Sequence, residues 1–179
     1  MNTIWADTSG VHDVLDSPAM LRAWTAAAGV CTDEDLSDPT DAEFADARLL
    51  RDALRRLAAL RTEDSRAVAQ SPIDLEPAVA AVNAAVAGLP RPHLVLHDGR
   101  LETEQLADGS AIRIALASIA RGALDILTGP EATRLRACYA HGCVLYFVKA
   151  HPRREWCSDG CGNRVRAARH YQRTRADRN

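Results

Sequence analysis

The chain has 179 residues, of which 47% are hydrophobic and 26% are charged, and its formal net charge is −2. This length allows one or two domains with a buried core, and this composition excludes a mainly disordered protein. No apolar stretch approaches the roughly 20 residues of a membrane-spanning helix, and the first residues lack the pattern of a secretion signal, so we expect a cytoplasmic protein without a membrane partner.

Three helices are predicted in the first 90 residues. The first should begin after Ser17 and end before Gly29, because serine caps helix N-termini well and glycine accepts the left-handed conformation that often follows a helix. A long helix over about residues 41–61 is predicted by apolar residues that recur every three or four positions. A third helix should span about residues 74–87.

A β-hairpin and two further helices follow. Asp98-Gly99 lies between two strand-like segments, residues 93–97 and 100–104, and an Asp-Gly pair in this position is a strong signal for a hairpin turn. Residues 110–127 are apolar over much of a helical surface, which predicts the central helix of the core. Residues 131–137 should form a short helix.

The chain divides into two regions of opposite charge. Residues 1–133 carry 11 Arg and 21 Asp or Glu, whereas residues 134–179 carry 11 Arg or Lys and 3 acidic residues, so their net charges are −10 and +8. We therefore expect an α+β protein with an acidic, mostly helical body, residues 1–130, and a small basic tail, residues 131–179. A basic tail is typical of a protein that binds a polyanion. The tail could also dock on the acidic body, and this contact would weaken the binding of the tail to DNA.

Four cysteines in the tail have the spacing of a zinc site. They follow the pattern C-x4-C-x13-C-x3-C, as Cys138, Cys143, Cys157 and Cys161. Two close pairs separated by a dozen or more residues are the usual arrangement for tetrahedral Zn²⁺. Four thiolates leave no open position, so we expect one structural zinc that organises a small domain made of a zinc knuckle, short strands and a basic helix.

Other interpretations of these cysteines remain open at this stage. They could be ordinary buried cysteines, or two disulfides in an exported protein. His141 and His151 are competing ligands in principle. Cys31 lies far away in the sequence, beside an acidic loop, and we expect it to be a small packed residue.

The segment after Cys161 predicts a basic helix. At about 100° per residue, Cys161, Val165, Ala168 and Gln172 share the face toward the metal. Basic residues of the opposite face and of the preceding turn could contact a nucleic acid backbone; the candidates are Arg153, Arg154, Arg164, Arg166, Arg169, His170 and Arg173. The alternative is a solvated helix whose cations favour its C-terminus.

The tail resembles the CGNR zinc-finger family of bacteria. The resemblance rests on the four cysteines, on Trp156-Cys157, on the tetrapeptide Cys161-Gly-Asn-Arg164 and on His170. In that family the finger follows an N-terminal α/β domain called ABATE, and residues 1–130 resemble it more loosely, from the Asn2-Thr3 pair to the apolar helix. That domain usually has an apolar strand before this pair, so either the first strand here should be short or missing, or the true start of the protein should lie upstream of Met1.

The resemblance implies a stress-induced transcription regulator whose finger binds DNA and a structural zinc. Combined with the charge pattern, it predicts a DNA-binding regulator whose body senses a small-molecule effector or forms a homodimer. One alternative is an adaptor for RNA or protein, in which Tyr139, Tyr146 and Phe147 could stack on unpaired bases.

A further alternative is an enzyme with a small-molecule site in the body. His12, His93 and His97 are the candidates for such a ligand site, and the last two occupy alternate positions of one predicted strand. No nucleophile motif, phosphate loop or cofactor fingerprint accompanies them, so we name no catalytic residue and lean against an enzyme.

Overall fold

The structure is a computed structural model, and it describes residues 1–7, 9–30, 37–69 and 71–176. Its helices and strands confirm the predicted α+β class. In chain order they are β1 (Ile4–Ala6), β2 (Val11–Asp13), α1 (Pro18–Ala27), α2 (Asp41–Arg61), α3 (Leu75–Val86), β3 (Arg91–His97), β4 (Arg100–Leu106), α4 (Ala111–Thr128), β5 (Leu135–Ala137), β6 (Tyr146–Val148) and α5 (Asp159–Ala176). Cys31 lies outside the described residues, so its predicted packing stays a prediction.

The helices of the body begin where the sequence supplies caps. Ser17 caps α1 and Ser110 caps α4, each by accepting a bond from a backbone N–H three residues later. Thr40 and Glu43 form a capping box at the start of α2, in which each side chain bonds to the other residue's backbone N–H. The hydroxyl of Ser110 also donates to the Glu43 carboxylate, and this contact ties α4 to α2.

Helix α4 packs against α1, α2 and α3, and α2 packs against α1, α3 and α4, so the two helices share the central position predicted for α4 alone. The buried residues of α4 join those of the other helices in one apolar cluster, which includes Leu21, Leu50, Leu54, Val82, Ile112 and Leu116. A second apolar cluster joins the body to the tail: Ala58 and Ala59 of α2 pack with Leu135 of β5 and Tyr146 of β6. The body and the tail therefore share a packed boundary.

The strands form three separate antiparallel pairs, β1 with β2, β3 with β4, and β5 with β6. In the predicted β3–β4 hairpin, Asp98 and Gly99 both have positive φ, which matches the right-handed twist of the strands. Its residues are exposed apart from the half-buried Val95. Both β1 and β2 follow the Asn2-Thr3 pair, so β1 is not the apolar strand expected before that pair, and neither strand was predicted.

Two predictions for the tail are wrong. Residues 131–137 are not one short helix: a 3₁₀ segment spans Pro130–Arg134 and is followed by β5. Leu135 and Ala137 are buried while Arg136 is exposed, which is the alternation of a strand, and β6 provides the pairing partner. The second wrong prediction is that Ala168 and Gln172 face the metal centre. Only the first turns of α5 are partly buried, and the helix is exposed on all sides from residue 166 onward.

Within the described ranges, no helix is both long enough and apolar enough to cross a membrane.

Candidate metal centre

The four cysteines of the tail meet at one point of the structure. Their sulfur atoms all lie within 4.8 Å of one another. The Sγ atoms of Cys143 and Cys157 are 3.7 Å apart, and those of Cys157 and Cys161 are 3.5 Å apart. Cys138, Cys143 and Cys161 are buried, and Cys157 is half-buried.

These distances fit a tetrahedral zinc ion. With Zn–S bonds of about 2.3 Å, two sulfurs of a tetrahedron are about 3.8 Å apart. A disulfide needs a sulfur separation of about 2.05 Å, so the four cysteines are free thiols and not crosslinked pairs. The cluster does not include His141 or His151, and both histidines are exposed.

Local backbone geometry directs each close pair of sulfurs to the centre. In the first turn, the backbone N–H of Cys143 donates to the Ala140 carbonyl at 2.8 Å, and Gly142 has a φ of 72°, a left-handed conformation that glycine adopts without strain. The second pair lies at the start of α5, where the N–H of Cys161 donates to the Ser158 hydroxyl at 3.3 Å. Ser158 thus caps the N-terminus of α5.

Hydrogen bonds to the sulfurs stabilise negative charge at the centre. The backbone N–H of Cys157 donates to Cys138 Sγ at 3.5 Å, and the Arg164 guanidinium donates to Cys161 Sγ at 3.1 Å. Burial alone would raise the pKa of Cys161, but the bonds from Arg164 and Ser158 outweigh it and lower that pKa to about 7. Burial raises the pKa of Cys143 to about 11, so a bound cation is needed to hold that thiol as thiolate at neutral pH.

An apolar shell and one arginine surround the second pair. Leu145, Phe147, Trp156 and Val165 pack against the cysteine cluster. Arg154 donates to the carbonyl oxygens of Trp156, at 3.1 Å, and of Cys157, and its guanidinium lies 5.3 Å from the centre of the Phe147 ring. Two of the three guanidinium nitrogens of Arg154, which was predicted to contact nucleic acid, therefore bond to the turn that carries Cys157.

An arginine of the body bonds to the backbone of the first cysteine pair. Arg66 Nη1 donates to the carbonyl oxygens of Cys138 and Cys143, at 2.8 and 3.0 Å. Sequence reasoning missed this residue, since it lies 72 positions before Cys138 and nothing in the local pattern around residue 66 signals the contact.

A second body arginine, Arg55, donates to the carbonyl of Val144 at 3.2 Å and lies over the ring of Tyr146.

The remaining basic candidates lie on the surface. Arg153, Arg166, Arg169, His170 and Arg173 are exposed, and the last four belong to the projecting part of α5. Positions 166, 169, 170 and 173 lie along one side of a helix. The structure therefore brings most of the nucleic-acid candidates together on one rod, while Arg154 and Arg164 hold the metal centre.

The three histidines proposed for a ligand site lie in different parts of the fold. His12 is on β2, where Nε2 is 3.0 Å from an Asp7 carboxylate oxygen and the ring stacks on Trp5. His93 and His97 are both on the exposed strand β3. The ligand site built from these residues stays a prediction.

A cleft in the body involves other residues. It has a volume of about 320 Å³, lies between α2, α3 and the start of α4, and is lined mainly by apolar side chains such as Leu49, Ala84 and Leu116. At its edge the Arg113 guanidinium is 3.3 Å from the Asp46 carboxylate.

Comparison with known families matches both regions of the chain. The model of the ABATE family, described as "Putative stress-induced transcription regulator", matches residues 1–130, and the model of the CGNR zinc finger matches residues 134–174. None of the curated proteins compared with the chain matches it. The finger and its four-cysteine cluster together fit one structural zinc. The chain therefore belongs to the ABATE family and carries a CGNR zinc finger after its ABATE domain.

Proposed function

We propose that this protein is a DNA-binding regulator in which Cys138, Cys143, Cys157 and Cys161 hold a structural zinc and α5 binds the DNA. The observation that carries the proposal is the position of α5. Its first turn is fixed by Cys161 and Ser158, whereas its arginine-rich remainder is exposed on all sides. A rigidly anchored basic rod can enter a groove of duplex DNA or lie along a phosphate backbone.

The charge distribution supports the same assignment. The segment of residues 134–179 has a net charge of +8, and four of its exposed arginines, Arg166, Arg169, Arg173 and Arg175, lie on the projecting part of α5. Each arginine that neutralises a phosphate releases condensed counterions, so binding through this surface should weaken steeply as salt rises.

The test compares two triple variants of the zinc-loaded full chain. Arg166→Ala, Arg169→Ala and Arg173→Ala remove the stripe on α5, and Arg48→Ala, Arg61→Ala and Arg100→Ala remove the same charge from exposed sites on the body. Fluorescence anisotropy with labelled duplex DNA should show weaker binding for the first variant, and a slope of log affinity against log salt that is shallower by up to about 2.7. The control variant should bind like the wild type. No binding by the wild type at about 50 mM salt would exclude the proposal.

Two of the three aromatic residues considered for RNA stacking are occupied within the protein, which favours duplex DNA over the adaptor alternative. Tyr146 is buried and Phe147 packs under Arg154, whereas Tyr139 is 57% exposed and has Arg66 at 4.5 Å from its ring centre. Competition between duplex DNA and single-stranded RNA for the same protein separates the two functions, and we expect the duplex to win.

For the effector that such a regulator would sense, the cleft at Arg113 and Asp46 is a suitable place. Its volume lies at the lower end of the range of small-molecule sites, and its mainly apolar lining is typical of them. The ion pair at its edge could recognise a charged group. An Ala84→Trp variant, which fills the cleft, should bind less of the fluorescent apolar anion 1-anilinonaphthalene-8-sulfonate than the wild type. Equal fluorescence of the two proteins would count against this site.

A further inference from the structure

We propose that Arg66, a residue of the body, is a positioning residue of the zinc centre, and that through it the body and the bound metal stabilise each other. This inference concerns metal binding and does not depend on the proposed binding of DNA.

The contact joins both ends of the first cysteine turn. One nitrogen, Arg66 Nη1, donates to the carbonyl oxygen of Cys138 and to that of Cys143. These two residues open and close the five-residue step that carries the first pair of sulfurs. A shared donor at 2.8 and 3.0 Å holds the two backbone segments at a fixed separation, and with them the two thiols.

Arg66 is itself held in place from the opposite side. Its Nε and Nη2 donate to the two carboxylate oxygens of Asp64, at 2.8 and 2.7 Å, in a bidentate pair. The Asp64 side chain is fully buried and also accepts a bond from the Tyr146 hydroxyl at 3.2 Å. The ring of Tyr139 lies under the guanidinium. The orientation of Arg66 is thus set by residues of both the body and the tail.

Charge gives Arg66 a second effect on the metal. A zinc ion with four thiolates has a net charge of −2, and groups that donate toward the ligand residues are known to tune metal affinity. Arg164 donates directly to a sulfur at one end of the centre, and Arg66 places a cation against the backbone of two ligand residues at the other. Burial lowers the charge screening between such groups.

The position of Arg66 in the chain turns this contact into coupling between regions. It lies in the part of the chain matched by the ABATE model, whereas the finger model begins at residue 134. The N–H of Asp64 bonds to the Ala59 carbonyl near the end of α2, so the segment that carries Arg66 is continuous with the core of the body. Linkage is reciprocal. If zinc binds more tightly when Arg66 contacts the first cysteine turn, then bound zinc must stabilise the end of α2, and a stable body must tighten zinc binding.

The first test measures zinc affinity in the full-length protein by competition with a chromogenic chelator. Arg66→Met keeps the length of the side chain and removes its donors and charge, and we expect affinity to fall by about 10- to 100-fold, as for other groups around metal ligands. Arg66→Lys should recover part of the loss because it restores the charge and one donor. Arg61→Met, at an exposed position five residues earlier, is the matched control and should bind zinc like the wild type.

The second test uses only the wild type and so does not depend on how a variant folds. Hydrogen exchange is followed with zinc bound and after its removal by a chelator. We expect zinc removal to speed exchange at residues 59–66, while residues 78–86 of α3, which take no part in the hydrogen bonds of Arg66, keep their protection. Unchanged zinc affinity in Arg66→Met, or unchanged exchange at residues 59–66 after zinc removal, would overturn the inference even if DNA binding proves correct.

Discussion

Asn2 and Tyr146 exchange two hydrogen bonds across 144 residues of sequence. The side-chain amide of Asn2 donates from Nδ2 to the Tyr146 carbonyl at 2.7 Å, and its Oδ1 accepts from the Tyr146 N–H at 3.2 Å. One side chain thereby satisfies the backbone of β6 on its free edge as a neighbouring strand would. This contact gives Asn2 a structural role, because it ties the first residues of the body to the tail.

Replacing Asn2 by Asp should destabilise the protein. The carboxylate keeps the size of the amide but faces the Tyr146 carbonyl with an acceptor instead of a donor, and we expect the free energy of unfolding to fall by about 1–3 kcal/mol. Urea denaturation of the zinc-loaded protein measures the change. Asn83→Asp, the same substitution at an exposed position of α3, should leave the unfolding curve nearly unchanged.

Removal of one ligand should release the metal. In Cys143→Ser we expect zinc content to fall from about one ion per chain to well below half, because a neutral hydroxyl is a poor substitute for a thiolate. Elemental analysis after dialysis against a weak chelator provides the measurement. Cys31→Ser, the cysteine outside the motif, should keep its zinc, and a normal zinc content in Cys143→Ser would show that the cluster is not the site.

Arg164 and Arg169 lie on the same helix but should have separable roles. Arg164 donates to Cys161 Sγ, so Arg164→Ala is expected to weaken zinc binding by about 10- to 100-fold. Arg169 is exposed, so Arg169→Ala should leave zinc affinity unchanged and reduce the salt dependence of DNA binding by about one phosphate contact. Parallel chelator competition and anisotropy on both variants test this, and a similar pattern in both variants would contradict it.

The contact between Glu43 and Ser110 should make stability depend on acid pH. Burial alone raises the pKa of Glu43, but hydrogen bonds from Ser110 and Thr40 outweigh it, and the pKa in the folded protein lies below its ordinary value of 4.5. A group with a lowered folded pKa stabilises the fold above its unfolded pKa and loses that contribution as the pH falls. Glu43→Gln should therefore be less stable than the wild type at pH 7, by about 1 kcal/mol.

The difference between the two proteins should shrink once the pH falls below about 4.5, where the unfolded carboxyl is protonated. Urea unfolding of both proteins across this range measures it. Asp41→Asn, at an exposed position of the same helix turn, controls for the loss of a charge near the α2 N-terminus. A gap of constant size from pH 7 to pH 3.5 would show that the carboxylate charge has no part in the contact.

Features that depend on neighbouring residues could be predicted from the sequence. The capping position Ser17, the Asp98-Gly99 turn and the four cysteine positions all follow from rules that act over a few residues. The family resemblance, which the family models confirm, rests on the same local patterns. The chain alone therefore determined the helices of the body, the hairpin and the class of metal centre.

Tertiary structure decided which residues surround the metal centre and how far α5 projects from it. Arg66 bonds to Cys138 across 72 residues and Asn2 bonds to Tyr146 across 144 residues, and a long-range contact of this kind has no periodic signal in the sequence. The strand β5 was missed because three residues form a strand only when a partner such as β6 satisfies their backbone groups. Helical periodicity assigned one face of α5 to the metal, but a periodic pattern cannot show whether anything packs against that face. In the structure, α5 is buried only in its first turns and is exposed from residue 166 onward.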